Sequence, residues 1–213
     1  MRQAPVRAPR RTQRRSLETR DRLLEAALPI FAARGFEGAT TREIAKRAGV
    51  ALAALPYHFE TKEALWRAAV DRIFERLAES FSERALTLGA ADSRTRLRAL
   101  LREFVEFAAR HPELHRFMLQ EGTEPSARLA WLVERHVRPL YERFCALVAD
   151  AQQRGLAPPG RPEHLYYAMV GAASMPYAMA PEFRLLSRKD PHAQRLVEDH
   201  LDCLIALFLP GGQ

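Results

Sequence analysis

Two cysteines in 213 residues, Cys145 and Cys203, are too few and too far apart for a disulfide framework or a zinc site. They point to a reducing compartment, the cytoplasm. No apolar run is long enough to span a membrane, and no apolar stretch follows the N-terminal arginines as it would in a secretory leader. Alternating strand patterns and fixed-period repeats are missing too. Catalytic signals are equally scarce: the chain offers no nucleophile–base pair, no paired carboxylates and no metal-ligand spacing. His111 and His115 stand four apart, but the EGTE stretch at 121–124 completes no metal site, so both read as surface residues. The expectation is therefore no enzyme, no cofactor, no metal and no membrane.

Acid is absent from residues 1–15, which hold six arginines; of the net charge of +7, only +1 belongs to the rest of the chain. Two prolines and almost nothing to bury make residues 1–16 a disordered basic arm. Its Arg10, Arg11, Arg14 and Arg15 are candidates to neutralise phosphates or enter a minor groove.

What is present is an ordinary globular composition, 47% hydrophobic and 28% charged, with enough chain to bury a core. The most informative block is TTREIAKRAGVALAALPYHF, residues 40–59. Thr40 and Glu43 have capping-box spacing, in which the hydroxyl takes an orphan N–H and the carboxylate reaches back. Ile44, Ala45 and Ala48 form an apolar stripe, and Ala45 is small enough to admit a second helix closely. Gly49 sits where the chain must reverse, Val50 plugs the junction, and a short helix follows from about Ala51 to His58. Cap, short helix, glycine, short helix is the order that presents a helix to the DNA major groove.

Helical periodicity covers nearly everything else, predicting an all-α fold of about nine helices. The first spans about Leu17 to Arg34, with Pro29 inside it to kink it or remove a hydrogen bond, and stops at Gly35-Phe36. Thr61 caps a long fourth helix ending near Gly89, read as a rigid lever between head and body. Helices around 97–107, 111–122, 125–155 (interrupted by Pro139), 162–181 and 190–208 complete the series.

The segment from about Arg20 to Leu65 resembles the tetracycline-repressor (TetR/AcrR) family of bacterial transcriptional regulators. The matching residues are Ala26-Ala27, Phe31, Gly35-Phe36, Thr40-Thr41, Ile44-Ala45, Ala48-Gly49-Val50, Leu55, Tyr57-His58-Phe59 and Lys62-Glu63-Ala64-Leu65. The resemblance implies a helix-turn-helix head over 17–65, with the motif at about 40–59, and a regulatory, ligand-binding and dimerising body over 66–213. It also implies a homodimer, usually a repressor released by a small molecule, with two C-terminal helices as the dimer interface. Ala51 stands where that family often has a capping serine, Ala53 replaces a frequent glycine, and Pro56 a frequent tyrosine or asparagine.

The recognition helix lacks the arginine, asparagine or glutamine that reads a base bidentately. Discrimination is expected from Leu52, Ala53, Ala54 and Tyr57 against thymine methyls and from DNA shape, with Arg42 as the one strong guanine contact. Thr40, Thr41, His58 and Lys62 are cast as further DNA contacts, the last three on phosphates. His58 beside Phe59 has helix packing as its equal alternative.

In the body, Phe104, Phe107, Phe117, Met118, Trp131, Tyr141, Phe144, Tyr166 and Met169 are candidate walls of a pocket for a hydrophobic effector. Glu121, His136 and Tyr166 are its polar handles; plain core packing competes at each position. The candidate dimer interface comprises Tyr167, Gly171, Ser174, Leu196, His200, Leu201, Leu204 and Phe208. These faces could instead pack within one subunit. The expected function is a dimeric DNA-binding regulator, most simply a repressor on a roughly palindromic operator. The alternatives are an activator or ligand-independent regulator, and, from another class, a helical scaffold or enzyme with a vestigial head.

Overall fold

Side-chain caps set where several helices begin. In the computed structural model, which describes residues 11–88 and 92–209, Thr40 Oγ1 accepts from the Glu43 N–H at 3.1 Å and opens α2 (Thr41–Ala48). Thr61 does the same for Ala64 at 3.0 Å at the start of α4 (Lys62–Leu88). Asp92 takes both the N–H and the hydroxyl of Thr95, at 3.0 and 2.7 Å, to begin α5 (Ser93–Arg110). Ser126 accepts from Leu129 at 3.0 Å ahead of α7 (Ala127–Leu132). Each cap satisfies one donor that the helix itself leaves orphaned.

The other elements are α1 (Arg11–Gly38), a 3₁₀ turn (Leu52–Ala54), α3 (Leu55–His58), α6 (Pro112–Glu121), a π turn (Val133–Val137), α8 (Arg138–Gln153), α9 (Pro162–Ala178), α10 (Ala180–Ser187) and α11 (Gln194–Phe208). No strand occurs among the described residues. They form two units that divide between Arg72 and Ile73, within α4: a head and a body.

Several expectations need correction. α1 starts at Arg11, so residues 11–16 of the expected disordered arm are helical; the expected stop at Gly89 lies outside the described residues. Pro29 removes one helical hydrogen bond, the second of its two expected effects, while the only non-helical torsions of α1 fall at Gly35. Half of the capping box is missing: the Glu43 carboxylate lies 3.8 Å from Arg34 Nε instead of returning to Thr40. α9 ends at Ala178, near Pro181 as expected, but Pro181 itself sits in the first turn of α10, an unforeseen helix. The interrupted helix around Pro139 becomes α7, π turn and α8. Proline has no N–H to donate and its ring crowds the carbonyl four residues back. The ladder widens over the residues just before it.

In the body α9 is the hub, packing on α5, α6, α8 and α11. Leu101, Val105 and Ala108 of α5, Ala173 and Tyr177 of α9, and Leu201 and Leu204 of α11 form one buried cluster, flanked by Phe104, Met169, Val197 and Phe208. Buried Glu103 is held by two guanidiniums: Arg84 donates to one carboxylate oxygen at 2.9 and 3.1 Å, and Arg110 to the other at 2.9 Å. A carboxylate so far out of water persists because it is paired on both oxygens.

Candidate nucleic-acid interface and effector region

The head is built by α1 closing on α2. Leu23, Leu24, Ala27, Ile30 and Phe31 meet Ile44, Ala45 and Ala48, all buried. Gly49 then takes left-handed torsions (φ 63°, ψ 36°), its N–H donating to Lys46 O at 3.2 Å while Val50 N–H returns to Ala45 O at 2.9 Å. This closure satisfies the carbonyls at the end of α2 and turns the chain back, at a position that suits glycine.

The recognition segment that follows is a 3₁₀ turn running into the single turn of α3, without a side-chain cap at Ala51. Only Leu55 and Phe59 anchor it, 4% and 5% exposed. Tyr57 is 90% exposed and Leu52 42%, and Ala51, Ala53 and Pro56 are also open to solvent. Ala54 and His58 are half-buried, so they sit at the edge of that face. Arg42 is exposed on the first turn of α2; Thr41 beside it is half-buried. Exposed Thr40 already uses its oxygen as the α2 cap, leaving its hydroxyl proton to donate.

Lys62 is partly committed. Its ammonium donates to Glu37 O at 3.2 Å and lies 4.6 Å from the centre of the Phe36 ring. One N–H is spent on the end of α1, and the others remain for a phosphate. Arg14 and Arg15 are exposed on the first turns of α1, Arg14 being 3.4 Å from Glu18. Arg10 lies outside the described residues, as does the side chain of Arg11.

Two further arginines of α1 touch the recognition segment and the turn that leads into it. Arg22 reaches Gly49 O at 3.5 Å, and Arg20 lies 5.1 Å from the centre of the Phe59 ring. No motif marks them. The only sequence signal is their place on the first helix, one and three residues before Leu23, which packs on α2.

In the body the proposed pocket residues separate. Phe107 and Phe117 are 1% and 0% exposed and Glu121 7%. Half-buried Tyr141, Phe144 and Tyr166 cluster edge to face where α8 meets α9, with Tyr166 5.1 and 5.4 Å from the other two ring centres. Burial pushes the Tyr166 hydroxyl up to about 12, so it stays protonated. Half-buried Trp131 and His136 pair edge-on at 5.6 Å beside the π turn. Half-buried Phe104 faces His115 at 5.6 Å, while Met169 packs on the α5–α9–α11 cluster; Met118 is also half-buried. Glu121, expected as a handle, has its carboxylate 3.7 Å from Arg128.

His115 is not the surface residue expected. It is 7% exposed, its Nδ1 has no hydrogen-bond partner, and burial pushes its pKa down to about 4. His111 instead pairs with Glu113 at 3.2 Å. No group of three or more His, Cys, Asp or Glu side chains placed to hold a metal occurs among the described residues.

The proposed dimer face is corrected in part. Ser174, Leu201 and Leu204 are 3%, 1% and 2% exposed within the single subunit, so they belong to its own core. His200 Nε2 bonds to Ala172 O at 3.0 Å, and Phe208 leans on the same cluster. Tyr167 remains 73% exposed, and a Cβ added to Gly171 would meet nothing within 4 Å. Leu196 is half-buried, while Cys203 and Leu207, not foreseen, face outward. No helix among the described residues is long and apolar enough to cross a membrane.

Known proteins share this organisation. Residues 23–69 match the model for bacterial regulatory proteins of the tetR family, and residues 93–212 match that for the C-terminal domain of the HTH-type transcriptional dual regulator CecR. The HTH-type transcriptional regulator RutR of Escherichia coli (strain K12) is 29% identical over 164 residues, 75% of this chain and 74% of RutR. CecR of Shigella flexneri is 32% identical over 145 residues, 62% of this chain and 64% of CecR. The solved structure of AibR with isovaleryl coenzyme A and operator DNA superposes with a TM-score of 0.67 at 22% identity, over 91% of this chain and all of that one (100%). With a tetR-type head and a CecR-type body that together account for most of its length, the chain belongs to the tetR family of bacterial transcriptional regulators.

Proposed function

We propose that this regulator binds a roughly palindromic operator as a homodimer in the cytoplasm, and acts as a repressor that a hydrophobic effector releases. The observation that carries the DNA reading is the exposed recognition segment: Tyr57 and Leu52 stand in solvent while Leu55 and Phe59 anchor them. An aromatic and an aliphatic side chain held out on one short element suit apolar contact with thymine methyls and sensitivity to groove shape. Arg42 supplies guanine contact, and Thr40, Thr41, His58 and Lys62 donate to phosphates, as do the arginines at the start of α1. Two heads on half-sites about one helical turn apart supply the affinity that one head with so few polar readers lacks.

The effector site lies in the body, with the half-buried aromatic groups around Tyr166 and around Trp131 as its walls. AibR was crystallised with an acyl thioester and its operator; a ligand with an apolar acyl chain fits the composition of these walls. Such a ligand releases DNA only by binding one state of the dimer better than the other. The protein works by binding, without turnover.

Selection of duplexes from random DNA by the full chain, followed by gel shifts, tests this reading. A selected inverted repeat whose binding weakens steeply with salt is the expected result. No retained duplex at low ionic strength refutes it. A panel of acyl thioesters added to the complex then tests release.

A further inference from the structure

The recognition segment has few internal means of holding its angle. It begins at Ala51 without a side-chain cap, its first turn is 3₁₀ with no buried residue, and its α-helical part is one turn long. Leu55 and Phe59 fix its depth in the head. They do not by themselves fix its tilt, because both lie in its second half.

The two arginines of α1 reach the turn that leads into this stretch and its far end. Arg22 Nη1 approaches the carbonyl of Gly49, the residue at which the chain reverses, at 3.5 Å. Its other terminal nitrogen lies 3.5 Å from Thr19 Oγ1, which steadies the guanidinium. Thr19 is itself tied to the backbone of α1, donating to Arg15 O at 2.8 Å. At the far end the Arg20 guanidinium lies 5.1 Å from the centre of the Phe59 ring, at the C-cap of α3. Residues two apart project about 200° apart around a helix, which lets one helix turn address both places.

We propose that Arg20 and Arg22 are positioning residues for operator recognition: they clamp the recognition segment at Phe59 and at Gly49 and so set the angle at which Leu52 and Tyr57 meet the groove. This rests on the DNA-binding reading above. Both guanidiniums are solvent-exposed, so the rival role is direct phosphate contact. The two roles differ in what they predict. A phosphate contact adds affinity for every sequence and about 0.9 to the salt slope. A positioning contact adds affinity only where the side chains must meet particular bases.

The test uses the full chain and a duplex selected by the wild type, beside a scrambled duplex of equal length. Dissociation constants are measured for Arg22→Met, Arg22→Lys, Arg20→Met and Arg20→Lys across a salt series, with thermal melting of each variant. Each methionine variant is expected to weaken binding of the selected duplex about 5-fold, the effect of losing one ordinary contact. Binding of the scrambled duplex and the salt slope should stay unchanged. The lysine variants should recover most of the loss, since an ammonium can still donate to the Gly49 carbonyl or sit over the Phe59 ring.

Equal losses on both duplexes overturn the proposal, as does no loss on either. With a salt slope lower by about one, equal losses assign the arginines to phosphates; with a lower melting temperature, to general stability. If a methionine variant does not fold, the lysine variant decides against the wild type: a loss of up to about 2-fold confined to the selected duplex supports the clamp, and an equal loss on both duplexes or no loss on either refutes it. A wild-type protein that selects no duplex refutes the underlying reading instead, and that arm alone reveals it.

Discussion

The His136 ring lies nearly parallel to the Phe74 ring, 4.7 Å between centres and 14° between planes. That separation exceeds the ~3.5 Å of contact between stacked carbon atoms, so the rings are offset, the preferred arrangement for such pairs. The π turn of 133–137 carries His136 to this place, with the Trp131 ring edge-on to it at 5.6 Å. Phe74 is 8% exposed. Phe74→Ala should therefore cost the body about 3–5 kcal/mol in urea unfolding. A double-mutant cycle with His136→Ala should return a coupling of about 0.5–1.5 kcal/mol. Additive losses would show that the stack contributes nothing beyond burial.

Gly35 holds φ 67° and ψ 174° inside α1, a combination almost restricted to glycine. The bend lets Phe36 stack on Phe31 at 6.0 Å and meet Trp66 edge-on at 6.4 Å. Gly35→Ala should destabilise the head by about 1–3 kcal/mol, read as a lower melting temperature. An unchanged melting temperature would mean that the bend relaxes at no cost.

His115 links stability to pH. Its folded pKa of about 4 lies below the ordinary histidine value of about 6.5 because burial disfavours the charged ring. Above pH 6.5 neither state takes up the proton and there is no penalty. Between about 6.5 and 4 the unfolded chain binds the proton and the folded one does not, so stability falls as pH falls, by at most about 3 kcal/mol. His115→Phe should flatten this dependence in urea titrations from pH 7 to pH 4.5. An identical slope in the variant would assign the loss to other groups, among them His200, whose pKa burial also lowers.

Tyr57 and Leu55 are two residues apart with opposite fates, 90% and 4% exposed. Tyr57→Ala should leave the melting temperature unchanged and weaken operator binding about 10-fold, in line with the loss of one good base-edge contact. Leu55→Ala should instead lower stability by about 2–5 kcal/mol. Unaltered operator affinity in Tyr57→Ala would remove this tyrosine from the interface.

On α9 and α11 the outward residues, not the core ones, should govern dimerisation. Tyr167→Glu with Leu207→Glu, 73% and 60% exposed in the subunit, should yield a folded monomer by sedimentation. Leu201→Glu should unfold the body, since it puts an unpaired charge into its core. A dimer that survives the double substitution would place the interface elsewhere.

The head was legible because its signals are local. A hydroxyl three residues before an N–H, small apolar residues at helical spacing, and a glycine at the reversal each act within a few residues of themselves. Tyr57 and Leu52 were readable as exposed for the same reason. The body was less legible: its helices look alike in periodicity, and apolar faces do not say what covers them. Leu201 and Leu204 resembled a dimer surface because a stripe packing on α5 and a stripe packing on a second subunit have the same spacing. The burial of His115 is invisible in the sequence because nothing beside it in the chain announces Phe104. α10 escaped notice because Leu185 and Leu186 are 84% and 80% exposed, so it has no buried stripe to detect.

The sequence by itself determined the helices, their caps, the reversal at Gly49 and the concentration of charge near the N-terminus, all set by torsional preference and by neighbours within one or two turns. Tertiary structure alone decided which apolar stripes are interior, which histidine loses water, and that Arg22 and Arg20 rest on residues 27 and 39 positions further along the chain. Those outcomes depend on which helix faces which. That choice is made by the packing of the whole chain, not by any stretch of it.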